Sequence, residues 1–364
     1  MFQYKLNNVI EKNIKFCLNF KKQYIIDNNV YNKWVKIINI YKTNYVNQLI
    51  IYNKFIKISQ KKNLNIENIY ANNVNTNNIN TNNINTNNIN TNNIYTKNIN
   101  IIIITTGQSN AGGWGTTYNP KIDIDQPNEN IFAYNIDEKK WVQADLSNGS
   151  LGGNKQHRLI NQNLIGFQFA QHFVKNNPFV KIGIITYAIN NRPIGNWVNY
   201  DKDNKYYEEN NRLINCIPKK EEQAHYYKLI EEIYEEATNQ LKNKENLMNI
   251  VVWHQGETDM INHSNLDYYE DALKKLVYQF KDLTNNRLLG FIGGTILNNR
   301  NNKYNSDGIN SIIRKNIDNL YNLYNYAELS NLERGDELHF TTESTRIGGK
   351  LYYEAFNNLI NKFK

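Results

Sequence analysis

Three short stretches of this chain place reactive side-chain types where they could act together. Ser109 stands two residues after Gly107, which ends the β-branched run IIIITTG that begins at Ile101. A buried strand that stops at a glycine puts the following residues in a sharp turn at the carboxyl end of a sheet, where open α/β sheets hold their ligands. A hydroxyl in that turn sits at the mouth of a crevice, with backbone N–H groups pointing toward whatever it attacks. Near the other end, Asp336-Glu337-Leu338-His339 sets a carboxylate three residues ahead of an imidazole. Such a carboxylate can fix the ring's tautomer and leave its other nitrogen to take a proton from a serine. The third stretch, Trp253-His254-Gln255-Gly256-Glu257-Thr258-Asp259, follows another apolar strand. Gln255 offers an amide N–H₂ where an oxyanion donor is needed, and Glu257 and Asp259 can orient neighbouring loops. Each stretch alone also has a plainer reading, as a turn residue or a helix cap.

The elements that would position these residues alternate strand and helix. Apolar strands are predicted at 101–107, 181–187, 248–253, 288–292 and 324–329, with a small hairpin excursion at 131–134 and 140–143 joined across Asp137 and Glu138. Helices are predicted over 163–175, 222–242, 266–282, 308–318 and 343–361. This βαβ alternation argues for a parallel sheet covered on both faces, in one domain from residue 101 to 364. Residues 198–222 read as an insertion that shapes specificity.

The first hundred residues have a different texture. They carry thirteen lysines, no arginine and three acidic residues, a net of +10, so with +8 for the whole chain the remaining 264 residues carry −2. Residues 1–62 mix aromatic and branched side chains with lysines at roughly helical spacing, which predicts a basic helical extension that tethers, spaces or joins copies of the chain. Over 63–100, Leu64, Ile69, Val74, Ile79, Ile84, Ile89, Ile94 and Ile99 recur every five residues among asparagines. That period resembles pentapeptide repeats, but Asn77, Asn82, Asn87 and Asn92 stand where those repeats prefer a small residue. It reads either as an Asn-rich linker or stalk or as a short solenoid. No Arg-rich reading motif accompanies the lysines, so no nucleic-acid partner is expected. Cys17 and Cys216 alone imply neither a disulfide framework nor a Cys-based metal site. No HExxH or comparable ligand set surrounds His254 and Glu257, so neither metal nor cofactor is expected. No signal peptide or membrane span is read, which leaves the compartment open and cytoplasmic by default.

Taken in order, GQSN at 107–110, WxQGExD at 253–259 and DxxHF at 336–340 resemble the SGNH-hydrolase superfamily, in the branch of sialate O-acetylesterases and acetyl xylan esterases. The resemblance spans roughly residues 101–361. It implies a three-layer α/β sandwich with a mostly parallel, five-stranded, flavodoxin-like sheet. It implies that Ser109 is the nucleophile, His339 the general base and then acid, and Asp336 the residue that orients His339. The oxyanion hole would use the Ser109 N–H, the Gln255 side chain and a backbone N–H at Asn191, within a stretch from Ala188 to Trp197 where Asn190 and Asn191 replace the glycines of the pattern AxGGTxIxxW. Asn tolerates a left-handed backbone better than most residues. Gln108, Asn110, Arg192, Trp197 and Glu257 are the candidate substrate contacts, with Arg192 open either to a substrate carboxylate or, in the favoured reading, to a local salt bridge. Trp114, Tyr118, Trp197 and Tyr200 would suit stacking on sugar or packing at the rim. The expected reaction is deacetylation of a carbohydrate through an acetyl-enzyme. The rival reading is a non-catalytic carbohydrate-binding or attachment protein that displays the fold on a stalk, and an esterase for lipid or small acyl esters is a third. Asn148-Gly149-Ser150-Leu151-Gly152 lacks the leading glycine of a GxSxG elbow, which makes Ser150 a decoy.

Overall fold

β-Branched side chains favour an extended backbone at Ile101–Gly107, and the strand they form, β1, lies in the middle of a seven-stranded sheet in the computed structural model of the protein. The structure describes residues 99–362 except 152–161, 179, 199–224, 243, 299–305 and 321–322. The extension expected over 1–62, the repeat over 63–98, Cys17, Tyr200, Cys216 and the insertion at 198–222, apart from Val198 itself, lie outside the described residues.

After β1 come β2 (Ile131–Asn135), β3 (Lys140–Gln143), α1 (Ile165–Asn176), β4 (Ile182–Ala188), α2 (His225–Asn239), β5 (Met248–His254) and the short α3 (Glu257–Ile261). They are followed by α4 (Leu266–Leu283), β6 (Leu288–Gly294), α5 (Ser306–Asn319), β7 (Tyr324–Ala327) and α6 (Thr342–Asn361). The strand order is β3-β2-β4-β1-β5-β6-β7, and every neighbouring pair is parallel except β2 with β3.

The expected five-stranded sheet is therefore corrected to seven strands. The hairpin is no excursion: Ile131, Phe132 and Ala133 pair in parallel with Ile182, Gly183 and Ile184, and β3 closes the edge antiparallel to β2. Residues Ile131 to Tyr134 are buried, and pairing them with β4 covers an edge that would otherwise present open N–H and C=O groups.

Alternation along β1 divides the core. Ile102 and Ile104 join Val251 and Trp253 beneath side chains of α2, α4 and α5, such as Ile230, Leu276 and Ile313. Ile101 and Ile103 join Ile250 and Val252 on the other face, beneath Phe169 of α1 and Phe356 of α6. Burial of each such side chain contributes about 1.5–3 kcal/mol, so a strand apolar on both faces is held rigidly between two helical layers. That rigidity is what the loops at the carboxyl ends of β1, β4, β5 and β7 inherit.

Candidate active site

β1, β4 and β5 end level with one another, since Gly107 is in register with both Ala188 and His254. Gly107 has φ 131°, and a Cβ there would collide with the His254 carbonyl, so only glycine lets the chain turn so close to β5. The turn is fixed by Gln108 N–H donating to His254 O at 2.9 Å and Ile189 N–H donating to Gly107 O at 3.0 Å. Ser109 emerges from this turn, and its own carbonyl accepts from Trp114 N–H at 3.0 Å.

The loop between β7 and α6 brings the second partner. Arg334 and Phe340 form an isolated antiparallel bridge, Gly335 N–H donates to His339 O at 2.8 Å, and the Thr341 hydroxyl caps α6 by accepting from Ser344 N–H. Within it, Asp336 Oδ1 accepts from the N–H groups of Leu338 and His339, each at 2.8 Å, and Asp336 Oδ2 lies 2.7 Å from His339 Nδ1. Partial burial pushes the Asp336 carboxyl up, but the ring N–H and the two backbone donors outweigh it and hold the group below its ordinary value. An ionised Asp336 makes Nδ1 a donor, so Nε2 is the free acceptor, and Nε2 lies 3.0 Å from Ser109 Oγ. Ser109, His339 and Asp336 thus stand in the chain of contacts that a serine esterase needs.

Among the described residues neither the Ser109 N–H nor the Asn191 N–H has a protein acceptor. Asn191 has φ 55°, the left-handed conformation expected of it, in the turn that follows β4.

Gln255 is placed differently from expectation. Its Nε2 donates to Arg192 O at 3.1 Å and makes a short contact with Asp259 Oδ2, so both amide hydrogens are spent and none is left for an oxyanion. Asp259 is fully buried, and its carboxylate also accepts from Ile194 N–H at 2.9 Å and the Ser264 hydroxyl at 2.8 Å. Gln255 therefore fastens the loop after β4 to α3 instead of facing the reacting carbonyl.

Three of the five candidate substrate contacts, Trp197, Glu257 and Asn110, are also corrected. Trp197 is wholly buried, edge-on to Trp253 at 5.5 Å and beside Tyr226 at 5.3 Å, which makes it core. Glu257 is buried against His254 and Asn110, and Asn110 has every amide group engaged by protein. Arg192 is exposed, and among the described residues it makes no salt bridge of the local kind favoured for it: its guanidinium lies over the Tyr226 ring at 5.7 Å. Gln108 accepts from Thr258 N–H at 3.3 Å through Oε1, and its Nε2 has no partner among the described residues.

Of the aromatic candidates, Trp114 is 45% exposed with its ring 6.2 Å from that of His339, while Tyr118 is half-buried against the core. Ser150 is spent in its own turn, accepting from Asp145 N–H and donating to Asp145 O. Residues that sequence reasoning missed are Tyr352, whose hydroxyl meets His254, and the backbone on either side of His339, which meets Asn110. Among the described residues no group of three or more His, Cys, Asp or Glu could hold a metal ion, and no helix is long and apolar enough to cross a membrane.

A family model described as carbohydrate esterase, sialic acid-specific acetylesterase, matches residues 98–358. No curated protein matches the chain in sequence. Among solved structures, a protein of Arabidopsis thaliana is 20% identical with a TM-score of 0.50, covering 71% of this chain and 98% of its own. NanS is 14% identical with a TM-score of 0.51, over 73% of this chain and 99% of its own. A carbohydrate acetylesterase from Xanthomonas citri is 14% identical with a TM-score of 0.50, over 72% of this chain and 57% of its own. At these identities the likeness is one of fold.

Proposed function

The chain belongs to the sialic acid-specific acetylesterase family of carbohydrate esterases, and from that premise we propose that it removes O-acetyl groups from sialic acid or another acetylated glycan through a covalent acetyl-enzyme on Ser109. The observation that carries this reading is the 3.0 Å contact of Ser109 Oγ with His339 Nε2, backed by the 2.7 Å contact of His339 Nδ1 with Asp336.

In the proposed reaction Ser109 Oγ attacks the acetyl carbonyl as its proton passes to His339 Nε2, and Asp336 stabilises the imidazolium that forms. The negative charge on the former carbonyl oxygen is met by the N–H groups of Ser109 and Asn191, without the Gln255 amide, which is engaged elsewhere. When the tetrahedral intermediate collapses, the C–O bond to the sugar breaks and the sugar oxygen leaves with the proton from His339. Water then loses a proton to His339 and attacks the acetyl-Ser109 carbonyl. Acetate departs, and the proton returns to Ser109 Oγ. Every group in this sequence belongs to the chain or to water.

The test is acetate release from p-nitrophenyl acetate, O-acetylated sialic acid and acetylated xylan by wild type and by Ser109→Ala. Turnover by wild type that falls at least about 10³-fold in the variant supports the reading, and the ratio among the substrates names the glycan. Equal rates for the two folded proteins would overturn it in favour of a non-catalytic carbohydrate-binding role.

A further inference from the structure

One amide joins the loop of Ser109 to the loop of His339. Asn110 Nδ2 donates to Leu338 O at 2.9 Å, and Phe340 N–H donates to Asn110 Oδ1 at 3.1 Å. The residue after the nucleophile therefore holds the backbone on both sides of the base. Turning that amide end over end would set donor against donor at Phe340 and acceptor against acceptor at Leu338, so its orientation matters. The second Nδ2 hydrogen decides it by donating to Glu257 Oε1 at 2.5 Å.

Glu257 is itself held by a charge. It is 2% exposed, and among the described residues its other oxygen, Oε2, has no hydrogen-bond partner. A buried carboxylate in that state takes up a proton unless a cation faces it. His254, wholly buried at the end of β5, places Nε2 3.0 Å from Glu257 Oε1. Its Nδ1 lies 3.2 Å from the Tyr352 hydroxyl oxygen, and that hydroxyl spends its only proton on Trp253 O at 2.7 Å. The Tyr352 oxygen can then only accept from Nδ1, just as the carboxylate can only accept from Nε2. Both ring nitrogens of His254 therefore face oxygens placed to accept. The space for this pair is provided by Gly294 at the end of β6, where a Cβ would collide with the Tyr352 hydroxyl and press on His254 Nδ1. The His254 ring also lies edge-to-face with that of Phe340 at 5.2 Å, so the anchor touches the base loop directly.

We propose that His254 is a positioning residue, a buried imidazolium that keeps Glu257 ionised so that Glu257 fixes the Asn110 amide and, through it, the separation of Ser109 and His339. This inference rests on the proposed triad. No substrate atom needs to reach His254 or Glu257. Their effect falls on geometry at the reacting atoms, where a displacement of about 1 Å costs about 10²-fold in rate.

The experiment uses the full chain in two arms. In the first, the ring nitrogens of His254 are observed by long-range ¹⁵N–¹H correlation in wild type, with His254→Gln supplying the assignment. Two protonated nitrogens are expected in the native protein at neutral pH, and one unprotonated nitrogen there would overturn the proposal whether or not any variant folds. In the second arm, p-nitrophenyl acetate hydrolysis is compared for wild type, Asn110→Ala, His254→Gln and the double variant. Each single change is expected to lower kcat by about 10–100-fold with KM within about twofold, and the double variant to be no slower than Asn110→Ala alone. Losses that multiply, or that fall on KM, would overturn the coupling. Wild type no faster than Ser109→Ala would instead sink the triad reading, while the charge on His254 would still be read from its spectrum.

Discussion

Ser109 Oγ and His339 Nε2 meet at 3.0 Å although 230 positions separate them in the chain. The contact exists because the turn after β1 and the loop before α6 are each tied down independently of it, by Gly107 against His254 on one side and by the Arg334–Phe340 bridge and Thr341 cap on the other. A proton path built between two loops that are held by contacts other than its own needs little rearrangement when substrate arrives.

Asp336→Asn is expected to lower kcat/KM for p-nitrophenyl acetate by about 10²–10³. An amide N–H₂ opposite Nδ1 favours the tautomer with the proton on Nε2, which then cannot accept from Ser109. The loss should be smaller than the about 10⁴ seen for a fully buried triad aspartate, because the Asp336 side chain is 57% exposed and water shares its work. Steady-state rates of the two proteins at a fixed neutral pH check this, and an unchanged rate would remove Asp336 from the mechanism.

Gln255→Ala should cost less than about tenfold in kcat, against the about 10²–10³ expected of a direct oxyanion donor. Its amide serves Asp259 and the Arg192 carbonyl, so the change should appear mainly as a lower Tm, with Asp259 left short of a donor while buried. A kcat loss of about 10² or more at an unchanged Tm would return Gln255 to the oxyanion hole.

Trp114 stands at the rim, 45% exposed and with its ring 6.2 Å from that of His339. If it supports the sugar, Trp114→Ala should raise KM for an O-acetylated glycan by about 3–10-fold, matching an aromatic contact worth about 0.5–1.5 kcal/mol, and leave p-nitrophenyl acetate hydrolysis nearly as it was. Equal effects on both substrates would assign the ring to shaping His339 instead.

What was legible in the sequence was whatever a strand end announces. The apolar run to Gly107, the run to Trp253 and the DxxH spacing each carry a local signal, and the structure brings their residues together around the ends of β1 and β5. What was not legible was which side of a loop a polar side chain takes. Asn110, Glu257 and Gln255 have the residue types of a binding cleft, yet each spends its hydrogen bonds on protein, because the loops that approach it come from distant parts of the chain. Trp197 failed the same way: an aromatic near a motif reads alike whether it faces sugar or Trp253. Tyr352 carried no signal, since its bond to Trp253 spans 99 positions from the middle of a helix. The hairpin reads as an excursion in sequence because pairing of Ile131–Ala133 with β4 is a non-local choice that short apolar strands do not declare.

Asp259 supplies a pH dependence of stability with a definite sign. Burial is the dominant influence and, despite donors from Gln255, Ile194 and Ser264, pushes its pKa from 3.8 up to about 6. Between about pH 4 and 6 the native chain keeps a proton there that the unfolded chain has released, so the slope of stability against pH is negative over that window. The stabilisation is complete below about pH 4 and is lost as pH rises through about 6, a difference on the order of 3 kcal/mol for a shift of about two units. In Asp259→Asn the side-chain oxygen can still accept from Ile194 and Gln255 while the new N–H₂ donates to the Ser264 hydroxyl, and nothing titrates. The Tm of wild type minus that of Asp259→Asn should therefore fall steadily as pH rises from about 4 to 6 and level off above it, most favourable to wild type on the acid side. Thermal melts at half-unit intervals from about pH 4.5 to 8 read this directly. A difference that stays flat across the range would mean that Asp259 remains ionised throughout, and that the anchor of the Asn191 loop is a full negative charge even in acid.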